Sequence, residues 1–261
     1  GRARLLIRYV RDFVRTSTAG VALADLRAGA PLSRVASTLA GDAALLAMLR
    51  STPNEDWELE HGLTLLRRAL LEAESDPATL RLAIALAVQG HLNEFVFEET
   101  PDERRRVDAA IERVRADLRS GAIPSPQAIA TIAAYRRLAD AIPEIEPWLE
   151  TAPPELEEIH RLHFAEPRDE ARLAAAMPSL TPIADGVSAA VRAQYEKHPF
   201  PRWTTARIGS RHPLAALIAD NLPDLPLPTD LPDPCSLLIA GCGTGVHAIE
   251  VASHIRSARV L

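Results

Sequence analysis

Three glycines at alternate positions, Gly241, Gly243 and Gly245, follow the apolar run Leu237-Leu238-Ile239-Ala240 and precede Ala, Ile and Val at helical spacing from Val246 to Ala252. The pattern reads as a buried strand, a tight turn and a helix. A chain that leaves a strand and enters a helix within a few residues needs backbone angles that glycine adopts without strain. A ligand crossing such a turn must approach main chain rather than side chains. The chemistry on offer across Ala240, Gly241, Cys242, Gly243, Thr244 and Gly245 is therefore the binding of a nucleoside-type cofactor by backbone groups. Cys242 reads as a small turn residue, because no base or thiolate-stabilising cluster accompanies it. His198 and His212 are the nameable bases, but both read as surface or packing residues, and no catalytic residue is assigned.

A second segment concentrates unusual side chains. Gln194-Tyr195-Glu196-Lys197-His198-Pro199-Phe200-Pro201-Arg202-Trp203 packs three aromatics, two prolines and cations into a chain that is only 4% aromatic. The prolines impose an extended path that holds Phe200 and Trp203 out as rigid contacts. Two readings stand: an interdomain clamp in which Phe200 and Trp203 fill an apolar seam, or a pocket wall formed by Tyr195, Arg202 and Trp203.

The G-x-G-x-G spacing after an apolar strand differs from the dinucleotide fingerprint, whose third glycine would fall on Val246. It resembles motif I of the class I S-adenosylmethionine-dependent methyltransferases. The Tyr195-to-Trp203 segment likewise resembles the stretch preceding the catalytic domain in bacterial methyltransferases with helical, tetratricopeptide-repeat-associated N-terminal regions. Leu92-Asn93-Glu94-Phe95-Val96-Phe97 is similar to their helical zone. The resemblance implies that the loop passes beneath the methionine and ribose parts of S-adenosyl-L-methionine. It departs from the family at Ile239, where many members carry an acid. The acid that binds the ribose hydroxyls in that family would follow a second strand, of which Ser257-Ala258-Arg259-Val260-Leu261 looks like the start.

The elements upstream are of another kind. Residues 1–180 read as an all-α region, 181–232 as a linker helix and an aromatic, proline-rich strap, and 233–261 as the start of a Rossmann-like domain. The fold class is mainly α: a helical bundle or solenoid-like region followed by the first βα unit of an α/β domain. Thr52-Pro53, Asp76-Pro77, Thr100-Pro101 and Ser125-Pro126 each place a capping residue before a proline at the first helical position. Thr52 with Glu55 and Thr100 with Glu103 complete capping boxes. Leu59, Leu63, Leu66 and Leu70 mark one buried stripe; Val107, Ile111, Val114 and Leu118 mark another. The run from Leu80 to Phe97 is apolar all round and predicts a central buried helix, with Asn93 and Glu94 inside it and Glu94 paired to an arginine. Further helices are expected over 3–15, 21–28, 31–39, 42–50, 153–164, 168–177, 187–197 and 214–221. Pro178, Pro182 and Gly186 interrupt helicity. No 34-residue period appears, so true repeats would lie upstream of Gly1.

With 47% hydrophobic and 25% charged residues the 261-residue chain is globular. A formal charge of −6 argues against nucleic acid or an anionic membrane as partner. The arginines at 104, 105, 106, 113, 115 and 119 alternate with Asp108, Glu112 and Asp117, which reads as a solvated, salt-paired face. Cys235 and Cys242 have neither disulfide nor metal spacing, which suits a reducing cytoplasm. No apolar run is long enough to span a bilayer.

These features predict an S-adenosylmethionine-dependent methyltransferase seen as a fragment that ends just after motif I. Its acceptor is an unidentified small molecule or protein, and the isolated chain binds cofactor weakly and lacks activity. The competing readings are a helical protein-interaction scaffold with a vestigial α/β end, which would bind a protein partner through the helical region, and an NAD-type oxidoreductase.

Overall fold

Short polar side chains decide where the helices begin. In the computed structural model, which describes residues 16–177, 186–199, 201–206, 208–226 and 231–261, Ser17 caps α1 (Thr18–Arg27). After α2 (Leu32–Gly41), Asp42 caps α3 (Ala43–Ser51) by accepting from the Leu45 amide at 2.9 Å. Asp76 and Thr79 form a reciprocal capping box at the start of α5 (Pro77–Leu92). Thr100 and Glu103 form another at α6 (Pro101–Ser120), which closes on Gly121 at φ 74. Ser125 caps α7 (Pro126–Ala133). The chain divides into two compact units, Gly1–Pro182 and Ile183–Leu261. The helix expected over 3–15 and the residues Pro178, Pro182 and Phe200 lie outside the described residues.

The expected start at Thr52-Pro53 is corrected. α4 spans Trp57–Leu70 and is capped by Asp56, whose carboxylate accepts from the Glu58 and Leu59 amides, both at 3.0 Å. Thr52 instead closes α3, its amide donating to the Met48 carbonyl, and no capping box with Glu55 forms. The cause is tertiary. The buried Gln89 side chain donates to the Leu49 and Thr52 carbonyls, each at 2.9 Å, and accepts from the Asn54 amide at 2.7 Å. Those three bonds hold residues 52–54 in a non-helical path.

α5 is the core of the first unit. Leu82 through Leu92 are buried without interruption, and α5 packs against α2, α3, α4 and α7. Gly90 is required by close approach: a Cβ there would stand 3.0 Å from the Ala134 carbonyl oxygen. The stripe Leu59, Leu63, Leu66 and Leu70 is buried on α4, as are Val107, Ile111 and Val114 on α6. Removing a side chain such as Leu63, which has no exposed surface, would cost about 2–5 kcal/mol through lost transfer energy and the cavity left behind.

The apolar run was expected to stay helical to Phe97, but α5 ends at Leu92. Asn93 is its C-cap, Glu94 and Phe95 both adopt φ 59, and the Phe95 amide returns to the Gly90 carbonyl at 2.8 Å. Asn93 thus caps the helix and Glu94 and Phe95 form a left-handed terminal turn, so that Asn93 and Glu94 do not sit inside the helix, and Val96 is 74% exposed. Glu94 does meet an arginine, Arg137, at 3.9 Å. Short turns occupy residues 138–160. A π turn at Arg161–Ala165 then leads directly into α8 (Glu166–Ala176), where the wider turn accommodates Pro167, which lacks the N–H and crowds the preceding turn. Helices expected over 153–164 and 168–177 are thereby joined.

The second unit contains α9 (Gly186–Lys197), α10 (Leu214–Asn221), β1 (Cys235–Leu237), α11 (Val246–His254) and β2 (Ala258–Val260). The strands pair in parallel, Cys235 with Ala258 and Leu237 with Val260. Two bonds between Leu237, Ile239 and Leu261 prolong the ladder. This is one βαβ unit. The first strand lies earlier than Leu237–Ala240 and is not the buried strand expected. Cys235 is 4% exposed but Leu238 is 79% exposed, because among the described residues a two-stranded sheet with one crossover helix is not covered on both faces. No single helix among the described residues is long and apolar enough to cross a membrane; α2 and α3 pass only jointly and bend by 79°.

Candidate functional site

The backbone of the glycine loop has the conformation its sequence demands. Gly241, Gly243 and Gly245 adopt φ of 72, 54 and 82, the left-handed region in which any residue with a Cβ is strained. Beside each of the three, the space a Cβ would enter contains no atom within 4 Å. The glycines are needed for backbone shape, and their open flanks leave room for a ligand to reach main chain. Ala240, Gly241, Cys242 and Gly243 are exposed, while Thr244 and Gly245 are half-buried. Within the loop the Gly245 amide donates to the Cys242 carbonyl at 3.0 Å.

The loop ends on α11, whose N-cap Gly245 supplies no side-chain bond. The first amides of that helix therefore add partial positive charge beside the loop, which favours an electron-rich or anionic ligand group. The aromatic segment reaches the same place. The Trp203 indole Nε1 donates to the Thr244 carbonyl at 3.1 Å, and the Thr244 hydroxyl donates to the Pro201 carbonyl at 2.8 Å. Arg202, between them, is 9% exposed. The structure thus joins Trp203 to the loop, whereas Tyr195, on α9, stays 67% exposed.

Of the two candidate bases, His212 is held away from the loop. His212 pairs through its backbone with His254 and Arg256, both bonds 2.8 Å. That is the far end of α11, about 13 Å from Gly245 at the ordinary helical rise. His198 is exposed at the end of α9.

A buried electrostatic cluster in the first unit was not legible in the sequence as a cluster. Glu103, 1% exposed, accepts from the Tyr135 hydroxyl at 2.9 Å, from Arg68 at 3.1 Å and from the Thr100 amide at 2.9 Å. Arg67, 2% exposed, lies 3.9 Å above the Tyr135 ring and donates to the Glu98 carbonyl at 2.6 Å. Burial pushes the Glu103 carboxyl up, but the bonds from Thr100, Tyr135 and Arg68 outweigh it and hold the group below its usual range. Burial raises the Tyr135 phenol and lowers the Arg67 guanidinium. The groups tie α4, α6 and the end of α7 together, although the buried Arg67 Nε has no hydrogen-bond partner among the described residues. Only the Thr100–Glu103 cap was readable in sequence; its partners come from other helices.

The arginine-rich face of α6 is salt-paired only in part: among the described residues Arg105, Arg106 and Arg115 are paired, and of the expected acids Asp108, Glu112 and Asp117 only Glu112 is a partner. Arg105 pairs with Asp102 at 2.9 Å, Arg115 with Glu112 at 2.7 Å, and Arg106 with Glu72. Glu146, Glu150 and His160 place ligand-type atoms within 4.8 Å of one another, but Arg168 already pairs with Glu146 and supplies the cation. No family model, curated protein or solved structure matches the chain.

Proposed function

We propose that the chain contributes the cofactor-binding βα unit of an S-adenosylmethionine-dependent methyltransferase, with Gly241, Gly243 and Gly245 as the floor on which S-adenosyl-L-methionine rests. The observation that carries this reading is the loop itself: three left-handed glycines between a parallel strand and a helix, each open on the side where a Cβ would stand. Backbone groups of Ala240, Cys242 and Thr244 supply the contacts, as a turn of this type does for nucleoside cofactors. Methyl transfer by such a protein depends chiefly on holding sulfonium and acceptor in line. The absence of an assigned base is compatible with that chemistry. A cytoplasmic setting belongs to this reading, since both cysteines are free and a reducing compartment keeps them so.

One βαβ unit offers a single wall, so the chain binds S-adenosylhomocysteine weakly, with Kd on the order of 1 mM, equivalent to about −4.1 kcal/mol. The test is a 1H–15N NMR titration. Shifts confined to residues 240–246 and the first turn of α11 are expected; no shift, or the same shift with a nicotinamide nucleotide alone, overturns the reading.

The second reading, a helical interaction scaffold, is favoured by a separate observation. Nearly the whole buried core lies between Ala19 and Phe164, and large apolar side chains there, Trp57 at 72% and Ile123 at 82%, face outward. That reading expects Gly243→Val to leave partner binding intact.

A further inference from the structure

The glycine loop has little of its own to hold it. Glycine loses more conformational freedom on ordering than any other residue, no side chain packs beside the three Cβ positions, and the one backbone bond within the loop joins Gly245 to Cys242. The order must be supplied from outside. Two bonds supply it, and they are reciprocal: the Trp203 indole donates to the Thr244 carbonyl, and the Thr244 hydroxyl donates to the Pro201 carbonyl. The strap end of this pair is stiff, because Pro199 and Pro201 fix their own backbone angles and Arg202 between the two contacts is buried.

We propose that Trp203 and Thr244 form a latch that sets the loop in its binding conformation before ligand arrives, which makes Trp203 and Thr244 positioning residues. The proposal rests on the reading of the loop as a cofactor site. The latch also divides the labour of Thr244. Its carbonyl and hydroxyl are committed to the strap, so ligand recognition falls on the amides of residues 241–244, which no protein acceptor engages among the described residues. Such amides recognise acceptor atoms, a carboxylate or ribose oxygen, rather than donors. Preorganisation of this kind acts on affinity by removing an ordering cost that binding would otherwise carry.

The test uses the full chain with Trp203→Phe, which keeps an aromatic ring and removes the donor, and Thr244→Val, which keeps the shape and removes the hydroxyl. Hydrogen exchange of the Gly245 amide, which is bonded to the Cys242 carbonyl, and of the Ile249 amide, which is bonded to the Gly245 carbonyl, is measured without ligand, followed by titration with S-adenosylhomocysteine. Exchange is expected to speed up by about two- to tenfold in each variant, the factor one net hydrogen bond supplies. The double variant should add little, since either loss opens the same latch, and Thr244→Ser should match the parent chain. Unchanged loop exchange in Trp203→Phe and Thr244→Val overturns the latch, whatever the ligand does. Faster exchange with no S-adenosylhomocysteine binding in any form, the parent chain included, keeps the latch and removes the cofactor reading. Faster exchange with a parallel fall in affinity supports both.

Discussion

Gly243→Ala separates a glycine turn that merely connects two elements from one that carries a ligand. At φ 54 the residue sits near the centre of the left-handed region, where an alanine costs roughly 1–2 kcal/mol. The loss of unfolded-state freedom returns about 0.4–1 kcal/mol. No atom lies within 4 Å of the new methyl, so no steric cost is added and the net destabilisation should be about 1 kcal/mol. A ligand lying on the loop meets a different situation. Carbon atoms settle about 3.5–4.0 Å apart, so the methyl occupies the layer in which a bound nucleoside cofactor would sit. Affinity should fall at least about tenfold, equivalent to about 1.4 kcal/mol.

Gly121 is the internal control. It has φ 74 and open space at its own Cβ, but it closes α6 in the first unit. Gly121→Ala should therefore cost similar stability with no effect on ligand shifts. Thermal unfolding gives the first quantity, and NMR titration with S-adenosylhomocysteine gives the second. The reasoning is refuted if Gly243→Ala binds as the parent chain does, since the open face would then not be where the ligand rests. A loss of stability above about 3 kcal/mol would refute the claim that only backbone strain is involved.

Glu103→Ala should destabilise the first unit by about 3 kcal/mol, because it strands the buried Arg67 and removes a helix cap; denaturant unfolding measures it. Since the Glu103 carboxyl is held below its usual value of 4.5, its contribution is complete above that pH and is lost as pH falls through the lowered folded-state value. Acid should therefore weaken the parent chain more than Glu103→Gln, as unfolding midpoints recorded from pH 6 to 3 will show. Thr131 is 5% exposed and its hydroxyl has no hydrogen-bond partner among the described residues. Thr131→Val should raise stability by about 1 kcal/mol by removing an unpaired buried group, and a loss of stability would reveal a partner. Cys242 is exposed and Cys235 buried, so a thiol reagent should modify one cysteine in the native chain and the second only on unfolding, with peptide mapping identifying Cys242 as the fast site.

The parts of this protein legible in sequence are those whose cause lies within about one turn of chain. Asp76, Thr100 and Ser125 start helices because each carboxylate or hydroxyl reaches an amide two or three residues ahead, and a proline follows that has no amide to satisfy. The alternation of Gly241, Gly243 and Gly245 after an apolar run implied a sharp turn for the same local reason. Tertiary structure decided the rest. Thr52 has the same credentials as Thr100, yet Gln89, 37 residues away, takes its carbonyl and passes the start of α4 to Asp56. The apolar run after Leu92 breaks because Phe95 returns its amide to Gly90, and the strand face that looked buried stays open at Leu238. The strap's hold on the loop joins residues more than 40 apart in sequence. Composition and period state what each segment can bury or bond, but the partner that competes for a given carbonyl or covers a given face comes from elsewhere in the chain, and only the folded structure brings the two together.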